Sequence, residues 1–141
     1  MPSPEKVLLL DTHVWLWLVN GAEPIKRPVL SAVEGAARRG LIRVSAISVW
    51  EVAMLVAKGR VRLAKDCLAW VQEALSAPGT SLIPMTPEIA VESSRLPGEF
   101  HGDPADRILV ATARLLDATL LTRDERILAY GKGKHVSVMP V

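Results

Sequence analysis

The sequence predicts an α/β domain in which a mainly parallel central sheet lies between layers of helices. Short apolar segments alternate with amphipathic ones along all 141 residues, which is the order of elements that a parallel sheet requires. The first segment, "VLLL" at 7–10, is apolar throughout, as expected of a strand that is buried on both faces. No repeat, low-complexity tract or linker divides the chain, so residues 1–141 are predicted to form one domain.

The first half of the chain contains two predicted strands and three predicted helices. Continuous apolar runs favour strands, whereas apolar residues at three- and four-residue steps favour helices, and glycine marks helix ends. The predicted elements are a strand over 6–11, a helix over 12–21 ending at Asn20-Gly21, a helix over 28–40, a strand over 41–46, and a helix that starts at Ser45 or Ser48 and ends at Lys58-Gly59.

The second half continues the alternation. Its predicted elements are a helix over 66–77, a strand over 80–85, a helix over 86–96, a polar loop over 98–102, a helix from 103, a strand over 118–122, a short helix over 124–131 and a last strand over 135–141. With half of its residues hydrophobic, a chain of this length can bury a real core, so it needs neither a metal nor a disulfide merely to fold.

The stretch "GDPADRILVATARLLD" carries the signals of a helix start. Asp103 is a predicted N-cap, Pro104 fits the first helical position, and Asp106 three residues after the cap can reach back as in a capping box. The apolar stripe of the helix is expected at Ile108, Leu109, Ala111, Thr112, Leu115 and Leu116. The residue preferences of a helix N-terminus are therefore sufficient to explain the spacing of the two aspartates.

Composition restricts the compartment and the partners. The single cysteine, Cys67, excludes an internal disulfide and fits a reducing compartment. No apolar run is long enough for a membrane span, and Asp11 and His13 interrupt the N-terminal one, so we expect a cytoplasmic protein without membrane contact. The net charge of +2 favours a polyanionic partner only weakly, and the basic residues between 38 and 65 fit a solvated helix face as well as an RNA-binding one.

Acidic residues recur where the predicted sheet ends. Asp11 closes the first strand, Asp124 follows the strand at 118–122, and Asp106 and Glu51 lie near the starts of two helices. Ligands of open parallel sheets bind beyond the carboxyl ends of the strands, so these four side chains are expected at one edge. Carboxylates gathered in this way repel one another unless cations hold them together.

The donor set indicates the cation and the chemistry. Oxygen ligands without a histidine or cysteine cluster suit hard ions, so Mg²⁺ is expected, with Mn²⁺ as a substitute. Such ions activate water and stabilise charge on a scissile phosphate. The four carboxylates therefore predict nuclease-like hydrolysis.

Four segments together resemble the PIN-domain ribonucleases, specifically the VapC-type toxins of bacterial toxin–antitoxin pairs. They are "LLLDTHVWLW", "SAISVWEVAMLVAKGRV", "HGDPADRILVATARLLDATLLTRDERI" and the terminal strand, in family order over essentially the whole chain. The resemblance implies a small α/β/α fold, a metal-dependent endoribonuclease that uses a metal-activated water, a homodimer, and an antitoxin that blocks the site.

The resemblance also assigns residues. The family's four acidic positions match Asp11, Glu51, Asp106 and Asp124, which would be the metal ligands and the catalytic residues. Thr122 matches a hydroxyl that supports the acids, and Thr12 follows the first acid as in many members. Asp103 is expected to cap its helix first and to act as an outer-sphere or water-mediated metal contact second.

Several other side chains are candidates for RNA contact. Arg107 and Arg123 adjoin two of the acids, where pairing with a carboxylate is the simpler expectation and phosphate contact the alternative. Lys58 and Arg60 belong to the basic segment that could hold flanking phosphates. The four tryptophans are expected in the core or at an interface rather than stacked on bases.

Two other classes of protein compete with this interpretation. A PIN-like domain could bind RNA or a partner without cleaving, although all four acidic positions are filled here. A phosphatase with an aspartyl nucleophile would also place Asp11 after the first strand, but "DTH" lacks the second aspartate that such enzymes use. A dinucleotide-binding domain fits less well, because no glycine-rich turn follows the first strand.

Overall fold

The computed structural model describes residues 6–21 and 23–141, which form a parallel sheet flanked by helices. The sheet has five strands in the order β3-β2-β1-β4-β5, and every neighbouring pair is parallel. The strands are β1 Leu8–Leu10, β2 Ile42–Ser45, β3 Thr80–Ile83, β4 Thr119–Thr122 and β5 Ser137–Pro140. The predicted fold class is confirmed.

Seven helices connect or follow these strands in the described part of the chain. They are α1 Thr12–Asn20, α2 Arg27–Arg38, α3 Ala46–Ala57, α4 Cys67–Leu75, α5 Pro87–Ser94, α6 Pro104–Leu116 and α7 Glu125–Lys132. Every element expected from the sequence is present, and each lies within the predicted segment or extends at most one residue beyond it.

The strand order reverses at the centre of the sheet, which positions the site. β1 pairs with β2 on one side and with β4 on the other, so that Leu10 lies between Val44 and Leu121. The chain moves outward from β1 to β2 and β3 and then returns to β4. The crevice beyond the carboxyl ends of β1 and β4 is therefore the switch point at which such sheets bind ligands.

Two apolar clusters cover the two faces of the sheet. Leu8 and Leu10 pack in a cluster with Trp15 and Trp70, whereas Leu9 packs in the other with Leu109 of α6. Successive side chains of a strand point to opposite faces, and the leucines of β1 are at most 3% exposed. Trp15 and Trp70 meet edge to face at 5.0 Å between ring centroids. The apolar run "LLL" is thus buried on both sides.

Short polar residues fix the helix starts at the site. Asp11 caps α1 and Ser45 caps α3, each through a side-chain oxygen that accepts a main-chain N–H. Asp103 caps α6 by accepting the N–H of Asp106 at 3.0 Å. At the far end of α1, Gly21 has φ of 65°, a left-handed conformation that glycine adopts without strain. The predicted caps at Asp103 and Ser45 are confirmed.

Two expectations for α6 are wrong. In a capping box the Asp103 N–H would donate to the Asp106 carboxylate. Here it donates instead to His101 Nδ1 at 3.3 Å. Leu115 and Leu116 are 48% and 39% exposed, whereas Leu109–Ala113 are buried, so the core covers the earlier turns of α6 but not its last one. Helical periodicity located the stripe, but it could not show where the core ends.

No helix in the described ranges, 6–21 and 23–141, is long and apolar enough to cross a membrane.

Candidate metal centre

A cavity of about 230 Å³ opens beyond the carboxyl ends of β1 and β4. All four acidic side chains singled out in the sequence line it, although they come from four different helices: three stand at helix starts, and Glu51 lies in the middle of α3. Its lining consists of Asp11, His13, Val14, Trp17, Glu51, Asp106, Arg123 and Asp124. The fold thus brings the predicted carboxylates together at the switch point of the sheet.

Asp11 is held by both of its carboxylate oxygens. Oδ1 accepts the N–H of Thr12 at 2.7 Å, and Oδ2 accepts the hydroxyl of Thr122 at 2.6 Å. The Thr122 hydroxyl in turn accepts the N–H of Asp124 at 3.0 Å. Thr122 is fully buried at the end of β4. One hydroxyl group therefore joins two of the acids and fixes their spacing.

Glu51 is held through a second hydroxyl. The Thr12 hydroxyl donates to Glu51 Oε1 at 2.5 Å. It also lies 2.8 Å from the hydroxyl of Ser48, which is fully buried and can donate to Thr12 in return. Since Thr12 begins α1 and Glu51 lies in the middle of α3, this pair fixes how the two helices present their acids.

Asp124 and Asp103 both serve as helix caps. Asp124 Oδ1 accepts the N–H groups of Arg126 and Ile127 at 2.9 and 3.0 Å, so its other oxygen is available to the cavity. Asp103 is exposed and does not line the cavity. The structure therefore confirms the capping role of Asp103, and its outer-sphere or water-mediated metal contact stays a prediction.

Burial and mutual repulsion act on the acids in the same direction. Burial raises the pKa of Asp11 and of Glu51, while their hydrogen bonds with Thr122 and Thr12 oppose the rise. Asp106 has the largest shift: burial, followed by the charges of Asp103, Asp11, Asp124 and Glu51, raises its pKa to about 7. Without a cation, the cluster holds more negative charge than its surroundings stabilise.

The donor set fits a divalent cation. Carboxylate oxygens of Asp106 and Asp124 and a ring nitrogen of His101 lie within 4.8 Å of one another. His101 Nε2 is buried and has no hydrogen-bond partner in the described part of the chain, although it lies 3.2 Å from Asp106 Oδ2. Clustered carboxylates that repel one another are the arrangement that a bound cation would stabilise.

The candidate RNA contacts differ in availability. Arg107 donates to three main-chain carbonyls, those of Ser93, Phe100 and His101, at 2.8 to 3.2 Å. Arg123 lies over the Trp17 ring at 4.2 Å and bonds Glu23 at 3.1 Å. Lys58 and Arg60 are exposed just beyond the end of α3. The two arginines thus have internal partners, whereas the basic residues after α3 face solvent.

Sequence reasoning missed three side chains at the site. Ser48 was considered only as a helix cap, and His101 only as part of a polar loop. Trp17 was expected at the core or an interface, but it lines the cavity beside His13, whose ring centroid is 6.0 Å away. The signal for Ser48 was available, since it stands one helical turn before Glu51 on the same face. Nothing local singled out His101, because the fold of the loop brings it to Asp106.

Replacing Thr122 by valine tests the link between Asp11 and Asp124. The variant keeps the shape of the side chain but removes the bonds to Asp11 Oδ2 and Asp124 N–H. We expect affinity for Mn²⁺ to fall about 10-fold or more, as for other losses of groups that orient ligands. Isothermal titration measures this, and Thr122→Ser should restore most of the affinity. Equal affinity of Thr122→Val and wild type would contradict the role.

The fold and the cavity define a class of protein before any comparison: a parallel α/β domain with a carboxylate site for divalent cations at its switch point. The PIN-domain family model matches residues 8–133. The chain is also 35% identical over 131 residues to Ribonuclease VapC22 of Mycobacterium tuberculosis (strain ATCC 25618 / H37Rv), covering 93% of this chain and 97% of that protein. The chain therefore belongs to the PIN-domain family, as its resemblance to VapC-type proteins implied.

Solved structures of two other proteins share the fold. VapBC2 from Rickettsia felis, bound to a DNA fragment from its promoter, matches with a TM-score of 0.70 and 16% identity, covering 95% of this chain and 98% of that one. FitAcB from Neisseria gonorrhoeae matches with a TM-score of 0.65 and 19% identity, covering 94% and 96%. At these identities the likeness concerns the fold.

Proposed function

We propose that this chain is an endoribonuclease toxin of a toxin–antitoxin pair, which hydrolyses RNA phosphodiester bonds with a divalent cation. The observation that carries the proposal is the convergence of four carboxylates, Asp11, Glu51, Asp106 and Asp124, on one cavity. Family membership and the relative named a ribonuclease support the choice of RNA.

The same four carboxylates would hold Mg²⁺, or Mn²⁺ in its place, because hard divalent ions prefer oxygen ligands. Such an ion supplies a Lewis acid that favours ionisation of water and neutralises charge on the phosphate. The preference for Mg²⁺ rests on the donor chemistry and on the resemblance.

The chain's own residues position these groups. Thr122 and Thr12 hold Asp11 and Glu51 in fixed orientations, and the main-chain N–H groups at the start of α7 hold Asp124. Hydrolysis forms a bond between the water oxygen and phosphorus and breaks the bond between phosphorus and one ribose oxygen. That ribose oxygen leaves as a hydroxyl group after it takes up a proton. Lys58 and Arg60 are the exposed cations of the basic segment that we assign to flanking phosphates, since their charges have free access to a backbone.

The proposal includes an antitoxin partner, a homodimer and a cytoplasmic location. Structures of VapBC complexes share this fold, which supports an antitoxin that covers the cavity. Trp50 on α3 is 56% exposed, and tryptophan is enriched at protein–protein interfaces, which supports a homodimer. Light scattering of the purified chain measures its oligomeric state. The cytoplasm is the compartment in which a toxin of this kind meets its RNA.

Cleavage of a panel of structured RNAs by the purified chain tests the activity. We expect cleavage with Mg²⁺ or Mn²⁺, no cleavage with EDTA, and at least a 100-fold loss in Glu51→Gln, because the neutral amide is a poor ligand for a hard cation. Glu88→Gln, at an exposed position in the first turn of α5, is the matched control and should cleave like wild type.

The outcomes distinguish the alternatives. Cleavage that survives EDTA or Glu51→Gln would contradict the site. RNA binding without cleavage of any panel member under any metal would favour the non-catalytic binding domain instead.

A further inference from the structure

His101 lies on the loop between α5 and α6, and it reaches Asp106 without lining the cavity itself. Its side chain is 17% exposed, and its ring contacts that of Phe100 at 4.3 Å between centroids. Arg107 fixes the main chain of the loop by donating Nη1 to the carbonyls of Phe100 and His101. The loop that carries the imidazole is therefore held in place beside Asp106 by these hydrogen bonds.

The Nδ1 atom of His101 faces hydrogen-bond donors. The Asp103 N–H points at it from 3.3 Å, and Arg126 Nη1 lies 3.5 Å away. Neither group can accept a hydrogen bond, because a main-chain N–H and a guanidinium are donors only. Nδ1 must therefore offer its lone pair, and in the neutral ring the proton is on Nε2.

The Nε2 atom faces Asp106. It lies 3.2 Å from Asp106 Oδ2 and is buried, but the carboxylate is not aligned with it as a hydrogen-bond acceptor. A hydrogen bond between the two atoms therefore requires a change in the orientation of one of the side chains. Coordination of a cation by the same nitrogen would instead require a lone pair on Nε2 and a proton on Nδ1, between two donors.

We propose that His101 is a positioning residue: its Nε2–H donates to Asp106 Oδ2 and orients this carboxylate, and His101 is not a metal ligand. The role of His101 in a metal site rests on the function proposed above. The contact between His101 and Asp106 does not depend on that function. His101 thus belongs with Thr12 and Thr122 among the side chains that hold the carboxylates in place. The cation site then remains one of oxygen ligands, although a ring nitrogen lies within 4.8 Å of two of them.

The tautomer of His101 can be read directly by NMR. In the ¹⁵N-labelled chain, long-range ¹H–¹⁵N correlations distinguish a protonated ring nitrogen from one with a free or coordinated lone pair. Comparison with His101→Gln identifies its signals among the three histidines of the chain. We expect the Nε2–H form both without metal and with saturating Mg²⁺. An Nδ1–H form in either state, or loss of the Nε2 proton on adding Mg²⁺, would overturn the proposal.

Titration with Mn²⁺ tests the consequence for binding. We expect His101→Ala to bind Mn²⁺ about 10-fold more weakly than wild type, as for other groups that orient ligands, and His101→Gln to recover part of the loss because its amide N–H can donate. His135→Gln is the matched control: His135 stacks on Tyr130 outside the cavity, so its replacement should leave the affinity unchanged. Thermal unfolding establishes that each variant folds.

The two proposals fail in different ways. Unchanged Mn²⁺ affinity in His101→Ala would overturn the positioning role while leaving the metal site intact. A wild-type chain that binds no Mn²⁺ would instead contradict the proposed function, and the metal-free NMR spectrum would still decide the tautomer.

Discussion

Asp106→Asn is expected to abolish RNA cleavage and, in the absence of metal, to stabilise the folded chain. The amide removes a ligand for a hard cation, so we expect at least a 1,000-fold loss of activity. The same change removes a charge that is buried and that four other acids repel, which are the two causes of its pKa of about 7. Each pKa unit corresponds to about 1.4 kcal/mol, and partial exposure of the site screens the charge, so we expect a gain of about 1–2 kcal/mol at pH 8.

Urea unfolding in EDTA measures this gain, and the RNA panel measures the loss. Asp117→Asn is the matched control, because Asp117 ends the same helix with a side chain that is 96% exposed. It should leave activity and stability within error of wild type. If Asp106→Asn is inactive and also less stable than wild type, the carboxylate stabilises the fold. That result would contradict the expectation that Asp106 lowers stability in the absence of metal.

Affinity for Mn²⁺ is expected to fall steeply below neutral pH. Asp106 must lose its proton to bind a cation, and its pKa of about 7 makes protons and metal compete. One competing proton lowers the affinity about 10-fold per pH unit well below the pKa, and about 50-fold between pH 7, where the carboxyl is half protonated, and pH 5. The raised pKa values of Asp11 and Glu51 act in the same direction. Isothermal titration at several pH values measures the effect.

The stability of the metal-free chain should have the opposite dependence on pH. The folded state binds the Asp106 proton more tightly than the unfolded state, whose carboxyl has a pKa near 3.8. The stabilisation is therefore complete below that value and is lost as pH rises to about 7. Saturating Mg²⁺ should restore stability at pH 8, because it binds the folded site. An affinity that does not vary between pH 5 and 7 would contradict both expectations.

The fold was predictable because its signals are local. The run at Leu8–Leu10 indicates burial on both faces, and Asp11, Ser45 and Asp103 stand at helix starts where their caps are found. The convergence of the four acids was also predictable, since parallel strands end at one edge and three of the acids follow strands or begin helices there.

The remainder depended on packing that no local pattern contains. His101 reaches Asp106 because Arg107 ties down an irregular loop, and the contact of Arg123 with Glu23 joins residues 100 positions apart. Leu115 and Leu116 are exposed although they continue the apolar stripe of α6. Periodicity indicates which side of a helix is apolar, whereas only the assembled chain shows how far that side is covered.

The bond between Thr122 and Asp11 has a consequence for synthesis of the protein. It joins the end of the first strand to the end of the fourth, 111 residues later, and Asp124 follows directly. Before these residues are synthesised, Asp11, Glu51 and Asp106 lack both β4, which pairs with β1, and the fourth acid, Asp124. A cluster built in this way cannot assemble until Thr122 and Asp124 have been synthesised and have left the ribosome, so a nascent chain that stops before them contains only an incomplete set of acids.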